Sequence, residues 1–294
     1  MRPDQRAPAT PDTTVVDVAG NSTTVYGYGD PAGPVVLAVH GFRGTHIGLE
    51  PVARELADRG YRVLVPDLPA TGASTPLTAR HDIDGYAGWL VELSALLGAP
   101  PVLLGHSFGS VVVSAAVARG VPHRAVVLVN PIATDPLEAS RRGAVAVTRA
   151  YYGLVRRLPA RPARALLAHR LVAVLTSELM ATSTDRDLRR WMRAEHVRQA
   201  DLFAGRDPVL EAFAASTGAT VRDFTDGYHA PTLLVAGERD DMGPVASQEA
   251  LAARIPDSTL HVLPGVGHLV HFEATEAAAD AVAGWLPGVL GTLA

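Results

Sequence analysis

The plainest pattern along the chain is a series of short, unbroken apolar runs: "PVVLAVH" (34–40), "YRVLVPD" (61–67), "PVLLGH" (101–106), "AVVLVNP" (125–131) and "PTLLVAG" (231–237). Apolar runs without polar alternation predict strands covered on both faces. Helical stripes lie between them. Leu49, Val52, Leu56 and Ala57 share one face of a helix closed by Gly60, and Tyr86, Leu90, Leu93 and Leu97 mark another. Strands that alternate with helices predict parallel pairing through right-handed crossovers, hence an α/β sheet with helices on both faces. Ahead of these, "TTVVDVA" and "TTVYGYG" flank a "GN" pair and predict a hairpin.

The alternation stops after Pro131. From Ile132 to Tyr228 no buried strand is predicted, and Arg- and Ala-rich helical segments such as "RALLAHRLVAVLTSEL" and "DLRRWMRAEHVRQADLF" take over. A helix "VASQEALAARI", a strand "STLHVLPG" and a helix "EATEAAADAVAGWL" then restore the order. The expected organisation is a tail over 1–13, a core domain over 14–131 and 229–294, and a helical insertion over 132–228. Within the insertion, Leu167, Leu171, Val174 and Leu175 fall at helical spacing and are expected to pack on the core and line part of a pocket.

Composition narrows the function. The net charge of −4 argues against a nucleic-acid partner. With no cysteine, disulfides, thiolate nucleophiles and Cys-ligated metals are excluded, which suits a cytoplasmic protein. No apolar stretch is long enough to span a bilayer and no secretory signal is visible, so no membrane partner is expected. No metal site and no cofactor motif are found, and the oligomeric state is open. All basic side chains other than His are Arg, which weakens any single Arg as a functional signal.

Functional groups in a parallel sheet gather at loops leaving the carboxyl ends of strands. Gly105-His106-Ser107-Phe108-Gly109 fits G-x-S-x-G between a strand and a helix. Glycines on either side let a strained turn form, and Ser107 is held outward as a candidate nucleophile. The Phe108 N–H, at the helix start, is aimed at an oxyanion. In His40-Gly41-Phe42-Arg43-Gly44, the Phe42 N–H is the second candidate oxyanion donor and His40 a structural support for the loop. "LLVAGERDDMGP" offers Asp240 as the carboxylate that orients a histidine, with Asp241 and the earlier Asp135 as alternatives. "LPGVGHLVHFE" offers His268 as the base, with His271 as the rival. Ser, Asp and His in that order make an activated nucleophile, because an imidazole must take the serine proton and a carboxylate must fix its tautomer. Candidate substrate contacts are Arg43, His106 and Trp191, the last sharing a helix with Met192 and His196.

These four loops resemble the α/β-hydrolase fold family, over roughly Thr14 to Leu286. The resemblance implies an eight-stranded, mostly parallel sheet with a helical cap, here residues 132–228, inserted after the sixth strand. It implies Ser107 as nucleophile, Asp240 as acid, His268 as base, and Phe42 and Phe108 as oxyanion donors. Serine in place of aspartate at the nucleophile position disfavours the usual dehalogenase and epoxide hydrolase chemistry. Three positions depart from common patterns: Ala70 and Ser110 where glycine is frequent, and Thr275 where proline is. The expected activity is hydrolysis of a small-molecule ester or lactone. Carbon–carbon bond hydrolysis, aminopeptidase activity and cofactor-free oxygenation or perhydrolysis are alternatives on the same triad. A hydrolase-like receptor with negligible turnover is the alternative of another class.

Overall fold

The computed structural model describes residues 10–134 and 142–291. The chain opens with the hairpin β1 (Asp12–Val18) and β2 (Asn21–Tyr28), then continues through β3 (Val35–Val39), α1 (His46–Asp58), β4 (Arg62–Pro66), α2 (Ile83–Ala95), β5 (Val102–His106), α3 (Phe108–Ala118) and β6 (Ala125–Val129). Helices α4 (Arg142–Arg157), α5 (Ala160–Leu167), α6 (Arg170–Met180), α7 (Arg186–Gln199) and α8 (Arg206–Gly218) follow, with a 3-10 helix at Val221–Gly227. The chain then returns to the sheet through β7 (Thr232–Gly237), α9 (Val245–Ala252), β8 (Ser258–Leu263), the short α10 (Val270–Glu273) and α11 (Thr275–Leu290).

The eight strands form one sheet in the order β1-β2-β4-β3-β5-β6-β7-β8. β2 runs antiparallel to both β1 and β4, and the pairings from β4 onward are parallel. Apolar burial fills both faces. One core gathers Leu37, Leu103, Leu128 and Leu234 under α2 and α3, while the other gathers Val36, Leu104, Val127 and Val235 under α1 and α11. Successive residues of one strand therefore feed opposite cores, which is why these strands read as unbroken apolar runs. Among the described residues no helix is long and apolar enough to cross a membrane.

Several details differ from expectation. β1 begins at Asp12, inside the stretch expected to be tail, and Arg62 pairs with Asp12 across the sheet edge at 2.9 Å. The hairpin turn is Ala19-Gly20 and not Gly-Asn. Both turn residues have positive φ, as a two-residue turn matching the strand twist requires, and Asn21 already pairs with Val18. The helical run expected over 164–179 breaks between α5 and α6, where His169 leaves helical geometry and its ring caps the Leu171 N–H. Leu167 is buried as expected, but Leu171 and Leu175 are not. They lie on the outer face of α6 and touch neither core nor pocket.

The three departures from common patterns have local accounts. Ala70 sits at φ 68°, a left-handed position that suits glycine. The Ser110 hydroxyl donates to Ser107 O and accepts from the Ile132 N–H, so it ties the Ser107 turn to the strand end beside it. Thr275 donates to His271 O at 2.8 Å and closes the turn between α10 and α11.

Gly109 packs against the end of β3. A Cβ there would collide with the Val39 carbonyl and lie 2.8 Å from His40 O, whereas Gly284 on α11 faces open space. Gly109→Ala is therefore expected to lower stability by about 2 kcal/mol or more through overpacking. Gly284→Ala should be neutral or stabilising by up to about 1 kcal/mol through helix propensity. Urea denaturation of the two variants distinguishes these outcomes.

Candidate active site

Strand β5 ends at His106, and the backbone reverses at Ser107 with φ 53° and ψ −121° before α3 begins at Phe108. A residue with a Cβ in the left-handed region is strained, and surrounding packing must hold it there. That packing is visible: a Cβ at Gly105 would lie 2.5 Å from Gly109 O, so β5 and α3 touch backbone to backbone across the turn. Ser107 N donates to Val129 O and Ser107 O accepts from the Ser110 N–H at 2.8 Å, which fixes the turn at both ends.

Two further strand ends deliver side chains to the same place. His268 follows β8, and its Nε2 lies 2.9 Å from Ser107 Oγ. Asp240 follows β7, and its Oδ2 accepts from His268 Nδ1 at 2.8 Å. The second carboxylate oxygen accepts from the Met242 N–H at 2.8 Å. All three side chains are buried, whereas Asp241 is exposed. Of the two adjacent acids, only Asp240 faces the imidazole. Asp135 lies outside the described residues.

Electrostatics follow from this geometry. Burial pushes the Asp240 pKa up, but the His268 charge and hydrogen bond and the Met242 and Gly243 amides outweigh it, and the group ends below the usual carboxylate range. For His268, burial pulls downward, while the Asp240 charge and hydrogen bond pull harder upward. Its pKa rises above the ordinary histidine value.

A Cβ built at Gly41 would sit 3.3 Å from Ser107 Cβ, so the loop after β3 runs directly beside the serine. The next residue is Phe42. Among the described residues, neither the Phe42 nor the Phe108 N–H is paired with an acceptor. Both are free to meet an anionic oxygen beside Ser107. His40 supports this loop as expected: its Nδ1 donates to Gly41 O at 2.9 Å and its Nε2 accepts the Leu68 N–H at 3.0 Å.

The remaining candidates are spread around this centre. Arg43, at φ 63°, sends Nη2 to the carbonyls of Leu167 (2.7 Å) and Ala200 (3.1 Å), where α5 and α7 end. Its guanidinium lies 4.8 Å from the Phe203 ring centre, and Nη1 is buried without a hydrogen-bond partner among the described residues. Helix C-termini carry partial negative charge, so they serve here in place of a carboxylate. His106 is buried with its ring 4.1 Å from that of His271, and burial first, then the His268 charge, pushes its pKa down to about 3. Trp191 packs edge-on against Phe272 at 5.1 Å, joined by Met192 and Leu269, and so binds α7 to the segment after His268. A narrow pocket, open to solvent, lies against Phe42, Arg43, Phe108, Leu202, Phe203 and Val209; Ser107 and His268 do not line it. Among the described residues no cluster of His, Asp or Glu is placed to hold a metal ion.

The histidine loop is positioned by two residues to which no role was assigned from sequence. Asn130, at φ 44° just past β6, donates Nδ2 to Gly267 O (3.0 Å) and His268 O (2.7 Å), and its Oδ1 accepts the Gly237 N–H at 2.8 Å. One buried amide thus ties the ends of β6 and β7 to the segment carrying His268. Glu273 accepts from Thr182 N (2.6 Å), Ser183 N (2.7 Å) and Gly267 N (3.3 Å), linking the helical insertion to the same segment.

The acid–imidazole pair can be tested without turnover. By NMR titration, His268 should titrate above 6.5 in the wild type. Asp240→Asn should move it downward, because burial then acts unopposed, and Asp241→Asn should leave it in place. An equal shift in both variants would contradict the pairing.

Comparison with known proteins places this architecture. A family model described as alpha/beta hydrolase fold matches residues 34–275. Epoxide hydrolase A of Mycobacterium tuberculosis is 37% identical over 106 residues, which is 35% of this chain and 33% of that protein, so the match spans about a third of that relative. The sn-1-specific diacylglycerol lipase ABHD11 of Mus musculus is 25% identical over 88% of this chain and 82% of its own length. The solved structure of a thermophilic esterase from Thermogutta terrifontis, with malate bound, superposes with a TM-score of 0.71 at 25% identity, covering 96% of this chain and 99% of that one. With the sheet order and the match over most of its length, the chain belongs to the α/β hydrolase fold family.

Proposed function

We propose that this protein is a serine hydrolase that cleaves a small-molecule carboxylic ester or lactone by acyl transfer. The observation that carries the reading is the continuous relay from Ser107 Oγ to His268 (2.9 Å) to Asp240 (2.8 Å). His268 Nε2 takes the serine proton as Oγ attacks the carbonyl carbon, and Asp240 stabilises the imidazolium. The tetrahedral oxyanion is met by the Phe42 and Phe108 N–H groups. Collapse breaks the bond to the leaving alcohol, which receives the proton from His268. Water, deprotonated by the same imidazole, then attacks the acyl-serine and releases the acid and free Ser107.

The serine also argues against epoxide opening despite the partial match to an epoxide hydrolase. Attack of a serine oxygen on an alkyl carbon would leave an ether, which the relay cannot hydrolyse. Attack on a carbonyl leaves an ester, which it can. The likeness to an esterase and a lipase supports the same reading. The 132–228 insertion serves as the cap, and the open pocket beside Phe42 and Phe108 marks the side from which the substrate approaches. Arg43, with its unpartnered Nη1, is the candidate contact for a polar or carboxylate group on that substrate.

A panel of p-nitrophenyl esters of increasing acyl length, with small lactones, tests this. Wild type should turn over at least one class, and Ser107→Ala should lose about 10⁴-fold or more in kcat. Asp240→Asn should be far more damaging than Asp241→Asn. A Ser107→Ala variant within about tenfold of wild type contradicts the nucleophile assignment.

The pH profile carries a second check. The base works only when neutral, and its pKa is raised, so kcat/KM should fall as pH drops through a value above 6.5. In Asp240→Asn the residual activity should show that limb displaced to lower pH. A wild-type limb below 6.5 contradicts the assignment.

A further inference from the structure

We infer that the exposed sides of the consecutive helices α4, α5 and α6 together form a docking surface for an anionic lipid membrane, on which the protein lies without crossing it. The observations are the surface's apolar side chains and its charge. Five of the seven large hydrophobic side chains most exposed among the described residues belong to two helices: Val147 (67%) and Leu154 (50%) on α4, and Leu171 (65%), Leu175 (57%) and Leu179 (74%) on α6. The α6 leucines repeat every fourth residue and so form one stripe, while Ser177 on the opposite side is buried. Scattered single apolar residues need no explanation, but a row of them does.

Charge identifies the partner. From residue 142 to 177 the chain has seven arginines and no acidic residue, within a protein whose net charge is −4. Arg149, Arg156, Arg161 and Arg170 are exposed and, among the described residues, meet no carboxylate. The first acid after this stretch, Glu178, is already engaged by Arg189 and by Arg193 at 3.0 Å. Exposed leucines on α6, next in the chain to helices whose exposed arginines meet no carboxylate among the described residues, match a surface with an apolar interior and anionic headgroups. A second copy docked through the same face would set arginine against arginine. A nucleic acid would satisfy the charge but leave the leucines in water, and among the described residues no exposed aromatic stacking platform accompanies them.

The face is also connected to the site. Two residues beyond α6, Thr182 packs over Gly267, and Glu273 binds the Thr182 and Ser183 amides beside His268. A membrane under α6 therefore lies one short connection from the base, suited to drawing an amphiphilic substrate from a lipid surface. The docking inference itself does not depend on the reaction.

Co-sedimentation of the full chain with vesicles tests it. Binding to phosphatidylcholine vesicles containing phosphatidylglycerol should be about tenfold or more tighter than to phosphatidylcholine alone, and should weaken as salt is raised. Leu171→Asp/Leu175→Asp should abolish binding, and Arg156→Glu/Arg157→Glu should remove its dependence on anionic lipid. Both variants should keep the wild-type circular dichroism spectrum and melting temperature, since the altered side chains face solvent. If the leucine variant does not fold, the arginine variant and the salt dependence decide the matter alone. Three results each overturn the proposal: no binding to anionic vesicles, binding that either folded variant retains in full, or a solution dimer that the leucine variant dissociates.

Discussion

The left-handed turn at Ser107 is the constraint around which the rest of the molecule is arranged. A serine at φ 53° is strained, and it persists because strand β5 enters and helix α3 leaves with backbone touching backbone. Only glycine at 105 and 109 allows that approach. The parallel sheet then brings the ends of β3, β6, β7 and β8 around the turn, each contributing one element: the Gly41–Phe42 amides, Asn130, Asp240 and His268. Removing the strain would relax the turn and lose the aim of the hydroxyl.

Burial and pairing are balanced here against each other. An isolated buried carboxylate or imidazolium would be costly, so each is stable in its charged form only through the other. Asp240 is held ionised by His268 and two amides, and His268 is held basic by Asp240. The nearby His106 and His271 have no such carboxylate, and burial drives both toward the neutral form. Three histidines within one small region thus differ in chemistry because one of them faces an acid.

Much of the sheet was legible because a doubly covered strand has no polar alternation, and G-x-S-x-G was legible because its glycines answer a steric demand. Asp240 was preferred to Asp241, but adjacent residues in a turn point in different directions, and only the contact with His268 decides between them. Asn130 and Glu273 went unnoticed for a different reason. Their roles rest on contacts to residues 137 and 91 positions away, which no local pattern reports, even though Glu273 closes the "LPGVGHLVHFE" stretch. Leu171 and Leu175 misled in the opposite sense, because helical spacing of leucines reports an apolar face but not what covers it. Arg43, read as a substrate contact, spends one guanidinium nitrogen on the ends of two insertion helices, a use that a sequence without the insertion's packing does not reveal.

The central claim is that Ser107 is an activated nucleophile, and intact-mass analysis after treatment with a fluorophosphonate tests it most directly. The account predicts a single adduct on the wild-type chain and none on Ser107→Ala. An adduct that survives in Ser107→Ala, or a folded wild type that takes up none, would contradict it.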